Sequence, residues 1–181
     1  MRGLYIGRFQ PFHNGHMELI RHIFKTFQPS ELLIGIGSSQ ESYTPRQPFT
    51  AGERFDMITR TLLFEKVSRC WVIPIPDINV HAVWVSHVES LLPRFEQVYS
   101  NDPLTRVLFE EAGYEVPELP FFNRGSLEGS EIRRRMLAGE DWKGLVPVPV
   151  LKVLEELHGE ERVRALGRSP EATRLQGSKD V

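Results

Sequence analysis

The order of apolar and amphipathic segments restricts the fold of this chain more than any other feature. Short apolar runs that suit strands alternate with segments whose apolar residues recur every three or four positions, as in helices. The predicted strands are 2–7, 32–36, 71–75 and 97–100, with weaker strand patterns at 114–116 and 121–122. The predicted helices are 17–27, a segment that begins after Thr50, 82–92, 103–112, 130–137 and 149–157. This alternation predicts an α/β fold in which a parallel sheet carries helices on both faces.

Length and composition set the limits of the domain. With 181 residues, of which 40% are hydrophobic, the chain has enough apolar material for one core. We assign residues 1–166 to a single domain. The residues from Gly167 onward are polar, small and charged with no period, so residues 167–181 are predicted to form a disordered tail.

Cysteine content and hydropathy indicate in which cellular compartment the protein is found. Cys70 is the only cysteine, and its apolar neighbours Trp71 and Val72 favour a plain buried thiol. No apolar run approaches the roughly 18 residues that cross a bilayer, and no signal-peptide pattern is recognised. These features predict a cytoplasmic protein with no membrane partner.

The distribution of charge favours a small anionic substrate. The net charge is only −2, whereas a general nucleic-acid binder needs a broad basic surface, so no nucleic-acid partner is expected. The arginines are clustered locally instead, at Arg8, Arg46, Arg54 and 133–135. Such clusters predict basic pockets on a chain that is not basic as a whole.

The turn 7–16, between the first strand and the first helix, carries the clearest functional signal. A strand-to-helix turn at the first strand of an α/β sheet is a usual site for a nucleotide phosphate. The turn places His13 and His16 on either side of Gly15, after Arg8. The helix dipole disfavours a charged imidazole there, so neutral rings that donate hydrogen bonds to phosphate are expected. A structural histidine pair and a metal site are the alternatives, although no HExxH pattern or third clustered ligand supports a metal.

A second motif, 129–135, lies near the end of the predicted domain. Ser130 is predicted to cap the helix, which leaves backbone amides available to a ligand. Successive helical residues point about 100° apart, so at most one or two of the three arginines can reach a site. We expect Arg133 to do so and interpret Arg134 and Arg135 as a solvated face.

Trp84 is the third candidate. A tryptophan at the start of a helix is more often a packing residue. Ligands in parallel sheets, however, bind at the carboxyl ends of the strands, where the loops containing Trp84 and Asp77 are predicted to lie. This position favours contact with a ligand.

Together these motifs resemble those of a known superfamily. The pair of an HxGH motif near the start and an (S/T)xxR motif near the end is similar to the nucleotidyltransferases. The chain further resembles, in order from residue 1 to about 166, the archaeal type of nicotinamide-nucleotide adenylyltransferase. The segments that carry this resemblance are 7–16, 36–40, 48–54, 76–78, 84–87 and 131–136.

The resemblance implies a Rossmann-like fold and a reaction in which nicotinamide mononucleotide and ATP give NAD and pyrophosphate. It implies that His13, His16 and Arg133 are the catalytic residues, acting on the ATP phosphates. The implied ATP-binding residues are Arg8, Phe9, Ser38, Arg46, Asn101 and Ser130. Those implied for the mononucleotide are Asp77, Ile78, His81 and Trp84, with Trp84 stacking on the nicotinamide ring. It also implies Mg²⁺ bound mainly through the ATP phosphates, no metal ligand from the protein, and a homo-oligomer, commonly a hexamer.

The chain departs from the family pattern in two places. His81 stands where asparagine is expected, and in the second motif Ser130 stands where threonine is usual, preceded by Glu128 where a small residue is expected. Three other functions share some of these motifs. They are a sister transferase acting on a pantetheine or flavin phosphate, a fragment of a class I aminoacyl-tRNA synthetase, and a nucleotide sensor without catalysis. The synthetase lacks support because the chain has no lysine-rich KMSKS-like loop.

Overall fold

A parallel four-stranded sheet forms the centre of the computed structural model, which describes residues 1–120 and 127–168. Its strands are β1 (Arg2–Gly7), β2 (Glu31–Ile36), β3 (Cys70–Pro74) and β4 (Gln97–Tyr99). The strand order is β3-β2-β1-β4, and every pair is parallel. The chain runs from β1 through β2 to β3 on one side and then crosses over to β4, so the strand order reverses beside β1. This is the switch point at which such sheets bind ligands.

Seven α-helices lie in the described part of the chain, and most follow the predicted order. They are α1 (Asn14–Thr26), α2 (Ala51–Phe64), α3 (Trp84–Leu91), α4 (Pro103–Glu111), α5 (Gly129–Ala138), α6 (Val148–Glu156) and α7 (Gly159–Gly167). Short 3₁₀ turns, His81–Val83 and Lys143–Leu145, precede α3 and α6. No helix of residues 1–120 and 127–168 is long and apolar enough to span a bilayer.

The sheet is covered on both faces, as predicted. Side chains alternate along a strand, so Leu4 of β1 joins one apolar cluster while Tyr5 joins the other. The cluster that contains Tyr5 packs Ile20 of α1 and Met57 of α2 against the sheet, and the cluster that contains Leu4 packs Val88 of α3. The prediction of one α/β domain with helices on both faces is confirmed.

The capping box predicted at the start of α2 is present. The Thr50 hydroxyl accepts a hydrogen bond from the Glu53 amide at 3.2 Å, and the Glu53 carboxylate accepts one from the Thr50 amide at 2.8 Å. Two free amides of the first turn are thereby satisfied. The box fixes the point at which the polar loop 38–49 ends and α2 begins.

Besides small shifts at other ends, the helices differ from the sequence prediction in three ways. Helix α1 begins at Asn14, three residues earlier than expected, with His13 as its N-cap. The N-cap of α5 is Glu128, so the prediction that Ser130 caps this helix is wrong. Helix α7 was not expected, because Val163 is the only large apolar residue that it buries.

The weaker strand patterns have different outcomes. In the described chain, 114–116 contributes a single bridge, between Gln97 and Glu115, instead of a strand. The pattern at 121–122 lies outside the described residues. The predicted tail also lies outside them from residue 169 onward, and the domain boundary at 166 stays a prediction.

Candidate active site

Two cavities of about 450 Å³ each open at the carboxyl end of the sheet. We call them the histidine cavity, which His13 and His16 line, and the tryptophan cavity, which Trp84 lines. Both are also lined by Ile6, Gly7 and Arg8. The cavities therefore adjoin each other where β1 ends.

The two histidine rings of the first cavity lie face to face. Their centroids are 3.5 Å apart with an interplanar angle of 23°. Phe12 stacks on the other side of His16 at 5.3 Å, and the Phe9 ring meets His16 edge-on at 4.8 Å. Aromatic packing thus holds the His16 ring in one orientation.

The backbone selects the tautomer of His16. Its Nδ1 atom accepts a hydrogen bond from the His13 amide at 3.1 Å, because His13 is the N-cap of α1 and His16 occupies its third position. A ring that accepts at Nδ1 carries its proton on Nε2. His16 therefore offers the cavity a fixed, uncharged N–H donor.

Both imidazoles are neutral near pH 7. Burial lowers the pKa of His13 to about 3. Burial, and then the neighbouring His13, hold the pKa of His16 well below its usual range. Nδ1 of His13 is buried and has no hydrogen-bond partner among the described residues. A buried polar atom without a partner is costly, which is characteristic of a ligand site.

Three guanidinium groups face the histidine cavity. They belong to Arg8 from the end of β1, Arg46 from the loop 38–49, and Arg133 from α5. Burial, followed by repulsion from Arg8 and Arg46, lowers the pKa of Arg133 to about 10. Arg133 also donates a hydrogen bond of 2.6 Å to the Gln10 carbonyl, which orients its side chain. Three cations around one cavity repel one another until an anion is bound.

Gly129 permits this approach of α5. A Cβ atom at this position would lie 2.9 Å from the Gln10 carbonyl oxygen and 3.3 Å from a terminal nitrogen of Arg133. The glycine therefore lets the start of α5 reach the first turn of the fold. Arg134 and Arg135, by contrast, pair with Glu131 and line neither cavity.

Arg54 supports the backbone of the site and lines neither cavity. The prediction that groups it with the anion-binding arginines is therefore wrong. Its side chain is fully buried. The guanidinium donates to the backbone carbonyls of Arg8, Gly37, Ser38, Glu41 and Thr50, at distances of 2.9–3.4 Å. Burial lowers its pKa to about 10. Arg54 thus joins the ends of β1 and β2 to the loop 38–49.

The tryptophan cavity contains polar groups that the sequence predicts and others that it does not. Asp77 accepts a hydrogen bond of 2.6 Å from the Ser38 hydroxyl, and its amide donates to the Gln40 side chain at 2.9 Å. Trp84 is half-buried and meets Phe109 edge-on at 5.6 Å, which holds its ring at the cavity wall. His81 is exposed at the same wall.

Most of the predicted residues come together, with three differences of detail. Ser38, expected beside ATP, lines the tryptophan cavity instead. Ile78 lies in the adjoining loop but does not line either cavity. Phe9 lines the histidine cavity, but its ring is buried and meets His16 edge-on. Ser130 and Asn101 line the histidine cavity, with the Ser130 hydroxyl 3.4 Å from Glu128.

The sequence analysis missed several lining residues. Asn79, Asp102 and Thr105 line the tryptophan cavity, and Tyr5 lies in the histidine cavity. Asp102 carried a signal, since an aspartate directly before Pro103 is typical of an N-cap. Asn79 carried none.

The donor set of the site does not form a protein metal cage. Among residues 1–120 and 127–168, no group of three histidine, cysteine, aspartate or glutamate side chains is placed to hold a metal ion. The histidine cavity is instead dominated by cations, with Glu128 as the carboxylate on its wall. Such a site fits a metal that arrives on its nucleotide and keeps most of its waters.

Comparison with known proteins agrees with this geometry. Residues 4–135 match the model of the cytidylyltransferase-like family, and the chain belongs to that family. Within it, the chain belongs to the nicotinamide-nucleotide adenylyltransferases, as the resemblance in its motifs predicts. It is 52% identical over 169 residues to the protein of that name from Haloarcula marismortui, covering 93% of this chain and 88% of the relative.

Other relatives of the same name are similar over most of their length. The protein from Thermoplasma acidophilum is 48% identical over 94% of each chain. That from Pyrococcus horikoshii is 46% identical over 99% of this chain and 93% of the relative. Among solved structures, a bifunctional NMN adenylyltransferase/ADP ribose pyrophosphatase from Francisella tularensis, complexed with AMP and a manganese ion, superposes with a TM-score of 0.73. It is 19% identical, and this chain covers 56% of its length, so this likeness concerns the fold alone.

The protonation state of the histidines can be tested directly. We expect the ring resonances of His13 and His16 to show no titration between pH 5 and pH 8, because burial keeps both pKa values below that range. NMR spectra recorded over this range, with His13→Asn and His16→Asn variants to assign the signals, measure this. A titration midpoint near 6.5 for either ring would contradict the neutral pair.

The role of Arg54 can be tested by unfolding. Arg54→Met leaves several buried carbonyls without a donor, so we expect a loss of about 3 kcal/mol or more in the free energy of unfolding. Arg60→Met is the matched control, since Arg60 lies on the same helix and pairs at the surface with Glu156. It should change stability by less than about 1 kcal/mol. Equal losses in the two variants, measured by denaturant titration, would remove Arg54 from this role.

Proposed function

We propose that this chain makes NAD and pyrophosphate from nicotinamide mononucleotide and ATP, with the triphosphate in the histidine cavity and the mononucleotide in the tryptophan cavity. The family to which it belongs carries out this adenylyl transfer. The observation that carries the assignment of the cavities is their common wall at Arg8. Two phosphorylated substrates bound on either side of one guanidinium have their phosphates adjacent, as the transfer requires.

The histidine cavity suits a triphosphate. Arg8, Arg46 and Arg133 supply positive charge, and each guanidinium is able to bind two phosphate oxygens. The Nε2–H group of His16 adds a donor without adding further repulsion to the three cations. His13 and His16 would thus bind the phosphates as hydrogen-bond donors, not as acids.

The chemical step needs little from the protein besides position and charge. An oxygen of the mononucleotide phosphate forms a bond to the α-phosphorus of ATP. The bond from that phosphorus to the bridging oxygen breaks, and the electron pair leaves with pyrophosphate. The attacking phosphate is already ionised at neutral pH, so no general base is required. In-line placement of the two anions contributes on the order of 7–11 kcal/mol, and the arginines stabilise charge on the leaving group.

The tryptophan cavity suits the mononucleotide. Trp84 lines this cavity and is held by an edge-to-face contact with Phe109, and its ring would stack on the nicotinamide ring. Asp77 and the loop that includes Ile78 and His81 would hold the carboxamide and ribose. Ser38 orients Asp77 through their hydrogen bond and belongs to this half of the site.

A divalent metal, which we propose is Mg²⁺, would enter on the ATP phosphates. When bound it neutralises charge on the triphosphate oxygens. The Glu128 carboxylate is the side chain of the histidine cavity best suited to contact the metal. The arginines and histidines there would bind the triphosphate.

Two further properties are carried over from the sequence prediction. We propose a homo-oligomer, with a hexamer as the form implied by the family, and a cytoplasmic location. Sedimentation of the purified protein measures the first.

The decisive experiment is a pyrophosphate-release assay with ATP, Mg²⁺ and a panel of phosphate acceptors. Nicotinamide mononucleotide should be preferred over pantetheine phosphate and flavin mononucleotide. Preference for either of the other acceptors would favour a sister transferase. No pyrophosphate release with any acceptor would favour a nucleotide sensor.

His16 can be tested by removal of its donor. His16→Ala should lower kcat by about 10²–10³-fold, as for the loss of one preorganised donor. His22→Ala is the control, because His22 lies on the same helix away from both cavities. Steady-state kinetics and a thermal melt measure the effect. Full activity in a folded His16→Ala protein would exclude this residue from the mechanism.

Trp84 can be tested by comparing the two substrates. Trp84→Ala should raise KM for the mononucleotide by about 10-fold or more, with little change for ATP, because stacking on an aromatic ring contributes on the order of 1–3 kcal/mol. Trp71→Ala is the matched control, since Trp71 is exposed on the edge strand β3. Equal changes in both KM values, or a large fall in Tm, would assign Trp84 to the core instead.

A further inference from the structure

Arg46 stands on a tight turn within the loop 38–49. The Thr44 amide donates to the Gln47 carbonyl, and the Gln47 amide donates to the Thr44 carbonyl, both at 3.2 Å. These paired bonds leave Pro45 and Arg46 at the tip. The position of the Arg46 side chain in the histidine cavity therefore depends on what holds the base of this turn.

Arg162 of the C-terminal helix α7 contacts the loop on both sides of the turn. Its guanidinium carbon lies 4.8 Å from the centroid of the Tyr43 ring, just before the turn. One of its terminal nitrogens lies 3.4 Å from the Pro48 carbonyl oxygen, just after the turn. A single planar group thus bridges the two ends of the segment that carries Arg46.

Arg162 is itself held by Glu53. The same terminal nitrogen donates to both Glu53 carboxylate oxygens, at 2.7 and 2.9 Å, and the two side chains are only 17% and 15% exposed. Ion pairs shielded from water in this way are stronger than surface pairs. Glu53 is also the capping-box residue that bonds the Thr50 amide. Arg162 is therefore anchored to the start of α2, next to the end of the loop.

The rest of the loop is anchored elsewhere. Arg54 bonds the carbonyls of Ser38 and Glu41, and the Gln10 side chain bonds both backbone groups of Phe49. Arg162 thus acts on the part of the loop between these anchors. That part holds Arg46 and not the residues that line the tryptophan cavity.

We propose that Arg162 is a positioning residue for ATP, which clamps the Arg46 turn from α7 without lining either cavity. This inference rests on the proposed role of Arg46 in binding the triphosphate. It assigns to α7 a function in substrate binding. Arg162 and the Tyr43 ring would act together, since the ring fixes the plane of the guanidinium.

The test compares KM values for the two substrates in variants of the full chain. Arg162→Gln should raise KM for ATP by about tenfold, because displacement of a binding group by a remote change weakens it substantially. KM for the mononucleotide should change by less than about twofold, since Arg54 holds Ser38 independently. Arg60→Gln is the matched control, because it breaks the Arg60–Glu156 ion pair of α2 without touching the loop. It should leave both KM values unchanged.

Conservative variants guard against a loss of folding. Arg162→Lys keeps a charge beside Glu53 but cannot bond Pro48 and lie flat on Tyr43 at once, so a folded protein with a raised KM for ATP is expected. Tyr43→Ala should raise KM for ATP by about two- to fivefold, whereas Tyr43→Phe should leave it unchanged. Wild-type ATP binding in folded Arg162→Lys and Tyr43→Ala proteins would overturn the proposal.

Two further measurements separate this inference from the function on which it rests. Arg46→Ala is measured in parallel: an unchanged KM for ATP in this variant would refute the proposed role of Arg46 itself. A raised KM in Arg46→Ala beside an unchanged one in Arg162→Gln and Arg162→Lys would refute the clamp alone. Trypsin cleavage at the Arg46–Gln47 bond, followed by mass spectrometry, should be faster in Arg162→Gln than in wild type or Arg60→Gln. Equal cleavage rates would contradict the clamp regardless of activity.

Discussion

The buried guanidinium of Arg54 is the interaction on which the site depends. Its bonds to the carbonyls of Arg8 and Gly37 join the ends of the two central strands, and its bonds to Ser38 and Glu41 extend to the following loop. The planar fork of arginine satisfies several acceptors at fixed angles, which a lysine cannot do. Both cavities are lined by residues of the segments that this group joins, so Arg54 contributes to the position of both.

Next to the segments that Arg54 joins, positively charged side chains converge on the histidine cavity. Arg8, Arg46 and Arg133 come from three separate segments and converge on a cavity whose two histidines are kept neutral by burial. The arrangement is unfavourable when empty and favourable when a polyanion is bound. Glycine at position 129 and the Arg133 bond to the Gln10 carbonyl bring the last of these cations to the first turn. The fold therefore holds these side chains in the positions that adenylyl transfer requires, and the cost is repulsion between the three arginines.

Much of the fold was predictable because it depends on local patterns. The order of strands and helices followed from periodicity, and the capping box at Thr50 followed from two residues at a fixed spacing. Helix α7 and the start of α5 were not predicted correctly. The first buries few apolar side chains, and the second has no side-chain cap and lies against Gln10, a residue more than a hundred positions away.

The histidines, Arg133 and Trp84 were identified from the sequence because their types and spacing have few structural explanations and match a family pattern. The arginines were harder to separate. Arg46, Arg54 and Arg162 are chemically alike in the sequence, yet one faces a cavity, one bonds backbone carbonyls in the core, and one holds a loop from another helix. The sequence by itself determined the class of fold, the chemistry and the residues at the strand-to-helix turn. Only the tertiary structure decided what each guanidinium contacts, because burial and hydrogen-bond partners depend on segments that are distant along the chain.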